Sequence, residues 1–241
     1  MSSGLYVALS GARAQSRALD VTSNNVANSG TAGFKASRAL FRERLVAAQG
    51  PDQRYAELNR IGVDLSQGGI DATGNVLDLA LEGKGFFAVQ TPEGERYTRD
   101  GAFRIDSQGM MVNAIGQRVL DDEGETIQFP GDVGEIEVTL EGDVYADSAF
   151  IGTLKIENFE EIQLERTGAN QFKVTGEPIK EGEGSKRANV LSESLESSNF
   201  NTVRGVVEIV KVSRTYQALL KMIESYKETE GRAATALGGP K

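Results

Sequence analysis

Cysteine, histidine and tryptophan are all absent from the 241 residues of this chain. Without cysteine there is no disulfide, no thiolate zinc site, no iron–sulfur cluster and no thiol nucleophile. Without histidine the chain lacks the commonest metal ligand and the commonest general base. Only carboxylate, serine–lysine or magnesium chemistry remains, and each of these needs its own recognisable set of residues.

Long apolar runs are missing as well. No stretch approaches the ~20 apolar residues that a membrane-spanning helix requires, and the first residues lack the basic and apolar segments of a secretory signal. We therefore expect a soluble chain without direct membrane insertion and without a cleaved signal peptide.

Basic residues are scarce in the middle of the chain. Residues 1–50 contain six Lys/Arg against two Asp/Glu, residues 199–241 contain seven against four, and the part between contains 13 against 29. Because nucleic-acid binding calls for a basic face, the acidic middle argues against nucleic acid as a partner.

Apolar and small residues recur three and four positions apart near both ends, which is the spacing of a helix with a heptad-like seam. Neither helix can bury its stripe alone. This favours pairing with each other, with neighbouring copies, or both, and packing of both helices on the β domain of the same chain is the alternative. The two seams are Leu5, Leu9, Ala12, Ser16, Leu19, Ser23 and Val26, and then Ile209, Val212, Tyr216, Leu219, Ile223 and Tyr226.

Between the helices the apolar period changes to two, and glycine-containing turn signals separate the runs, which is typical of antiparallel strands. The part from Ala36 to Gln49 looks partly helical, and residues 50–74 look like an extended connector. Phe86, Val89, Tyr97 and Phe103 are the core candidates.

The predicted fold class is therefore α+β, with an antiparallel β domain inserted between N- and C-terminal long helices that pair as a coiled coil. The predicted divisions are an N-terminal helix at 1–35, a connector at 36–72, a β domain at 73–198 and a C-terminal helix at 199–241.

Two motifs invite a chemical interpretation and fail on spacing. Gly83-Lys84-Gly85 lacks the first glycine and the hydroxyl residue of a phosphate-binding loop. The acidic run from Asp121 to Glu125 places its glycine out of phase with a calcium loop. We expect no catalytic residue, no metal site and no cofactor, and hence no enzyme.

Three blocks of residues resemble the flagellar rod and hook protein family. The N-terminal block runs from Ser23-Asn24-Asn25-Val26-Ala27-Asn28 through Thr31-Ala32-Gly33-Phe34-Lys35. The central block comprises residues 77–89 with Tyr97-Thr98-Arg99-Asp100-Gly101-Ala102-Phe103, and the C-terminal block is Leu195-Glu196-Ser197-Ser198-Asn199-Phe200-Asn201. The chain departs from the family pattern at Arg204-Gly205 and at residues 213–216.

The resemblance implies a structural subunit of the basal-body rod, the hollow drive shaft that transmits torque across the periplasm. It implies as partners other copies of the chain and related rod proteins in a helical assembly, and the flagellar export apparatus. The short stretch before the central block favours a proximal rod protein. A distal rod or other axial protein is the alternative, and a soluble binding or hydrolytic domain is a remote one.

The predicted subunit-assembly interface combines the helix seams with the asparagines of the N-terminal block. Those asparagines can also act simply as helix-terminating, backbone-capping residues. The interface consists of Leu5, Leu9, Ala12, Ser16, Leu19, Asn24, Asn25, Val26, Asn28, Ile209, Val212, Tyr216, Leu219, Ile223 and Tyr226.

Overall fold

The computed structural model describes residues 3–46, 53–131, 134–168, 170–179 and 188–237. The parts of the predicted connector and β domain at 47–52, 132–133, 169 and 180–187 lie outside the described residues.

A long helix lies near each end of the chain. Helix α1 is Ser3–Ala27 and helix α2 is Thr202–Leu237. Asn201 precedes α2 and its Oδ1 accepts a hydrogen bond from the Arg204 amide at 3.0 Å, which satisfies one of the free donors of the first turn. No proline interrupts the 36 residues of α2, so the helix predicted there is present.

The middle of the chain consists of short strands. In chain order these are β1 Ser37–Val46, β2 Gln53–Val63, β3 Ile70–Ala72, β4 Ala80–Glu82, β5 Phe86–Thr91, β6 Gly94–Thr98, β7 Phe103–Ile105, β8 Met111–Asn113, β9 Arg118–Val119, β10 Ile136–Val138, β11 Asp143–Ala146, β12 Ala149–Thr153, β13 Ile156–Glu157, β14 Leu164–Gly168, β15 Gln171–Val174, β16 Asn189–Leu191 and β17 Ser194–Glu196.

Across the described residues the strands group into several sheets. The largest has the order β14-β15-β6-β5-β9-β8-β7, with β13 also paired to β5. A three-stranded sheet has the order β10-β11-β12, and two-stranded sheets join β1 to β2, β16 to β4 and β17 to β3. The last two sheets pair strands near the C-terminal end of the β region with strands that begin 109 and 124 residues earlier, so they depend on contacts that are distant in sequence.

Strand β5 separates two apolar clusters. Phe87 packs with Leu79, Phe103 and the residues of the first cluster, while Phe86 and Ala88 face the second cluster. Because both faces of β5 are buried, the sequence of this strand is a continuous apolar run and does not alternate between apolar and polar residues. The predicted core residues Phe86, Val89, Tyr97 and Phe103 are all buried, so that prediction is confirmed.

The chain divides into two compact units. The first, called the helix unit below, comprises Met1–Ala27, Ser37–Gly62 and Asn201–Lys241. The second, called the β unit, comprises Asn28–Ala36 and Val63–Phe200. Strand β1, and β2 as far as Gly62, thus belong to the helix unit.

The fold class predicted from the sequence is wrong. The chain has one helix near each end and a β-rich middle divided among several sheets, and the described residues show no coiled-coil pairing. Where α1 meets α2, glycine faces a large side chain: a Cβ at Gly4 would lie 2.7 Å from the Tyr226 hydroxyl, and one at Gly11 would lie 3.5 Å from Leu219. A glycine offers no knob to insert, so the interlocking of large residues from both helices does not form.

The interpretation of Ala36–Gln49 as partly helical is also wrong, because β1 occupies Ser37–Val46. This strand contains Leu, Arg and Glu, which favour helices by intrinsic propensity. Its pairing with β2 overrides that preference.

Candidate assembly surface

The predicted seam on α1 divides between buried and exposed positions. Ala12 is buried, while Leu5, Ser16, Leu19 and Val26 are half-buried. Leu9 is 38% exposed. The buried face of the helix is formed chiefly by smaller residues, namely Ala8, Ala12, Ala14, Val21 and Asn25.

The predicted seam on α2 is the sheltered face of that helix. Val212 is buried, and the seam residues on either side of it are half-buried. Tyr226 is 41% exposed, but its hydroxyl lies beside Gly4 of α1. The half-buried members of the seam are Ile209, Tyr216, Leu219 and Ile223.

A second face of α2 is apolar and open. Val203 is 75% exposed, Val206 49%, Val207 64% and Val210 46%. Their positions are i, i+3, i+4 and i+7, so the four side chains form one continuous stripe, called the valine stripe below. The interface predicted from the sequence lies on the opposite face of α2 and includes none of these four valines, although their spacing is visible in the sequence.

The asparagines of the N-terminal block have different roles in the chain. Asn25 is buried, its Nδ2 donates to the Ser37 carbonyl at 2.8 Å, and its Oδ1 accepts from the Ser37 amide at 2.8 Å. This reciprocal pair fixes the end of α1 to the start of β1. Asn24 is exposed, whereas Asn28 is half-buried and its carbonyl accepts from the Thr31 amide at 3.0 Å. A role of these three residues between subunits stays a prediction.

Within the β unit, one buried carboxylate contacts two buried cations. Glu196 Oε1 lies 2.6 Å from Lys35 Nζ, and Glu196 Oε2 lies 2.6 Å from Arg99 Nε. All three side chains are at most 3% exposed. Lys35 comes from the N-terminal block, Arg99 from the central block and Glu196 from the C-terminal block, so this ion triad joins all three. Sequence reasoning missed the triad, although each member stands inside a block that carries the resemblance.

Backbone groups complete the coordination of the triad. Lys35 Nζ also donates to the Ser66 carbonyl at 2.8 Å, and Arg99 donates to the carbonyls of Leu81, Gly83 and Gly85. The Gly83-Lys84-Gly85 segment therefore presents carbonyl oxygens to a guanidinium group, which is the reverse of a loop that presents amides to phosphate.

Burial sets the protonation behaviour of these cations. It lowers the pKa of Lys35 below the ordinary value, against the opposing hydrogen bond and charge of Glu196. Burial likewise lowers the pKa of Arg99. Burial also lowers the pKa of Arg166 to about 10. The Arg166 guanidinium stacks on the rings of Phe34 and Phe172 and donates a hydrogen bond to the Lys35 carbonyl.

Gly33 brings the N-terminal block against the central block. Its φ is 63°, in the left-handed region, and a Cβ there would overlap the backbone of Arg99. Its amide donates to the Glu196 carbonyl at 2.6 Å. Only glycine permits this close approach beside the triad.

The described residues contain no group of acidic side chains arranged to hold a metal ion. Among the same residues, neither helix combines the length and apolarity needed to cross a membrane.

Three family descriptions match separate parts of the chain. "Flagella basal body rod protein" matches residues 5–35, "Flagellar hook protein FlgE/F/G D1 domain" matches residues 80–146, and "Flagellar basal body rod FlgEFG protein C-terminal" matches residues 191–236. These ranges contain most of the three blocks, so the resemblance is confirmed.

Similar proteins match over almost the whole chain. The flagellar basal-body rod protein FlgF of Caulobacter vibrioides is 30% identical over 248 residues, which cover 99% of each chain. FlgF of Escherichia coli is 30% identical with 97% of each chain covered, and the rod protein FlgG of Bacillus subtilis is 30% identical with 93% of this chain and 95% of its own length covered. The chain therefore belongs to the flagellar basal-body rod protein family.

Proposed function

We propose that this chain is a structural subunit of the flagellar basal-body rod, of the F type, which assembles with other copies and with related rod proteins. In this function it forms part of the hollow shaft that transmits torque across the periplasm, is delivered by the flagellar export apparatus, and catalyses no reaction. The observation that carries the proposal is the valine stripe on α2.

Exposure of the valine stripe to water is energetically unfavourable. Fully burying an exposed valine contributes roughly 1.5 kcal/mol, and four of them lie side by side. Valine is also a weaker helix former than leucine or alanine, so the stripe does not serve the helix itself. A contiguous apolar patch of this kind marks a surface that is covered by another protein.

The two faces of α2 have different partners in this proposal. The seam from Ile209 to Ile223 packs within the helix unit, and the valine stripe contacts a neighbouring subunit. Repetition of that contact along a helical array buries apolar surface that one copy leaves open, which makes the polymer stiff.

The test introduces a charge into the stripe. Val207→Glu should abolish swimming and remove the chain from purified basal bodies, because assembly would bury an unpaired carboxylate. Gln217→Glu is the matched control, since it adds the same charge at another exposed position of α2 and should leave motility intact. Motility in soft agar and mass spectrometry of detergent-washed basal bodies provide the readouts.

Two results would count against the proposal. Normal motility of the Val207→Glu strain would show that the stripe is not an assembly surface. Absence of the unaltered chain from basal bodies, with the protein soluble and monomeric instead, would overturn the rod function and favour the soluble binding domain.

A further inference from the structure

The three-stranded sheet β10-β11-β12 has one covered and one open face. Val138, Val144 and Ala146 point into the first apolar cluster of the β unit. Residues at alternate positions point away from it. On that open side Glu137 pairs in register with Tyr145, and Tyr145 pairs with Phe150, so a carboxylate, a phenol and a phenyl ring form one row across the sheet. We call this row the aromatic–acidic face.

Two aromatic rings dominate the aromatic–acidic face. Tyr145 and Phe150 make an edge-to-face pair with ring centroids 5.7 Å apart at 67°. Phe150 is nevertheless 59% exposed, and Leu140 in the adjacent turn is 57% exposed. Apolar side chains gathered on an open sheet are typical of a protein-binding surface.

The charge around these rings is of one sign. Residues 134–153 contain five Asp/Glu and no Lys/Arg. Asp147 accepts hydrogen bonds from the Glu135 and Gly134 amides, and Asp143 accepts one from the Thr153 hydroxyl, so both carboxylates are engaged locally. Within the described part of the chain, Glu137 forms no ion pair. A cationic partner matches this face, and arginine matches it best because a guanidinium both stacks on aromatic rings and pairs with carboxylates.

Another part of the same chain has the opposite net charge. The helix unit contains 14 Lys/Arg against eight Asp/Glu, a net charge of +6, whereas the β unit contains 12 against 27, a net charge of −15. Exposed cations on α2 include Arg204, Arg214 and Lys221. Any second copy therefore brings the required chemistry with it.

We propose that the aromatic–acidic face of one subunit docks on the basic helix unit of a second copy of this chain. The inference rests on the proposed function, since the rod is what brings copies side by side. It adds a contact between subunits that is independent of the valine stripe: the stripe uses apolar burial, and the aromatic–acidic face uses cation–π and ion-pair contacts.

Photocrosslinking from the face tests this contact. We would replace Phe150 with benzoylphenylalanine, which keeps an aromatic ring at that position, in cells that assemble basal bodies. The expected product is a covalent dimer whose second attachment point, located by mass spectrometry, lies in α1, β1, β2 or α2 of another copy. Ile162 is the control position, because it is 73% exposed in the β unit but does not belong to the aromatic–acidic face, and it should give no such dimer.

A second position separates failure of this inference from failure of the proposed function. Benzoylphenylalanine at Val207 reports contacts of the valine stripe. If Val207 yields adducts with rod subunits while Phe150 yields none, or yields adducts with a different protein, the inference is overturned and the rod function stands. If neither position crosslinks and the chain is absent from basal bodies, the rod function itself fails.

A charge change tests the chemistry of the partner. In the Phe150 crosslinking strain, Glu137→Lys should lower the yield of the dimer by about fivefold or more, because it places a cation opposite the basic helix unit. Glu137→Gln should lower the yield less. An undiminished yield from Glu137→Lys would rule out a basic partner surface.

Discussion

Glu196 is the side chain on which the ion triad depends. It neutralises one of two buried cations and holds both through separate oxygens at 2.6 Å, while its Oε1 also accepts from the Gly68 amide at 2.8 Å. Removing one partner of a buried ion pair is costly because the remaining charge stays buried without compensation. The triad therefore makes the β unit sensitive to single substitutions that look conservative.

Replacing Glu196 with glutamine should be the most damaging change within the triad. It removes the carboxylate that Lys35 and Arg99 share, and we expect a loss of about 3–5 kcal/mol in the free energy of unfolding, measured by urea denaturation. Lys35→Met should lower the free energy of unfolding by a smaller amount, since Glu196 keeps its ion pair with Arg99. Glu193→Gln is the control, because that side chain is exposed. Equal stability of the Glu196→Gln and Glu193→Gln variants would contradict this account.

Asp100 should make stability depend on pH. Burial raises the pKa of Asp100, with the charge of Asp78 acting in the same direction and the Ala102 amide opposing it. When folding raises the pKa of a carboxyl group, the group adds stability at pH values below its pKa in the unfolded chain. This contribution is lost as the pH rises through the pKa of the group in the folded chain. We therefore expect Asp100→Asn to raise the free energy of unfolding more at pH 7 than near pH 4.

Thermal unfolding at both pH values, followed by circular dichroism, measures this difference. Asp106→Asn is the control, because the Asp106 carboxylate accepts from two backbone amides in a similar turn. Identical pH dependence of the Asp100→Asn variant and the unaltered chain would contradict the assignment to Asp100.

Among the structural elements, the turn after β6 requires a residue without a side chain at Gly101. A Cβ at Gly101 would overlap the Leu79 carbonyl oxygen and would lie 3.3 Å from the Phe87 ring. The overlap is with backbone, which cannot move aside as a flexible side chain can. The Leu79 amide also donates to the Gly101 carbonyl at 3.0 Å, so the two segments are held together at this point.

Gly101→Ala should disrupt this contact and destabilise the β unit by roughly 3 kcal/mol, an amount in the range of overpacked cores. Gly231→Ala in α2 is the matched control, because nothing lies within 4 Å of the added methyl group. There the change should not lower stability, because alanine is the better helix former. The midpoints of chemical denaturation compare the two, and similar midpoints would argue against the close packing of Gly101.

For the whole molecule, the two units differ in what they bury. The described side chains of the helix unit that are both apolar and buried are small: Ala8, Ala12, Ala14, Val21 and Val212. The β unit buries phenylalanines on both sides of β5. Because burial free energy scales with apolar area, these described side chains of the helix unit contribute less to the folding of a single copy than the buried phenylalanines of the β unit do.

Hydrogen exchange of the purified monomer should reveal this difference. We expect amides of α1 and α2 to exchange much faster than those of β5 and β6, and to become protected only in the assembled rod. Mass spectrometry of exchanged peptides measures both states. Equal protection of the helices and the strands in the monomer would show that the helix unit is stable by itself.

Several features were predictable because they are local. The helices near both ends follow from apolar spacing, and Phe86, Val89, Tyr97 and Phe103 follow from short apolar runs bounded by turn residues. Strand β1 was not predictable from its own residues, because its partner β2 decides its conformation. The interface residues from Leu5 to Tyr226 remain a prediction, and the structure adds the valine stripe on the other face of α2.

The sequence by itself determined the positions of the two helices, the β-rich character of the acidic middle, and the three blocks that identify the rod family. Only the tertiary structure decided which face of α2 is open and which charges are buried. The reason is separation along the chain: Lys35 and Glu196 are 161 residues apart, and Arg99 and Glu196 are 97 apart. Spacing rules report on neighbours within a helix or strand, whereas contacts over such distances exist only once the whole β unit has folded.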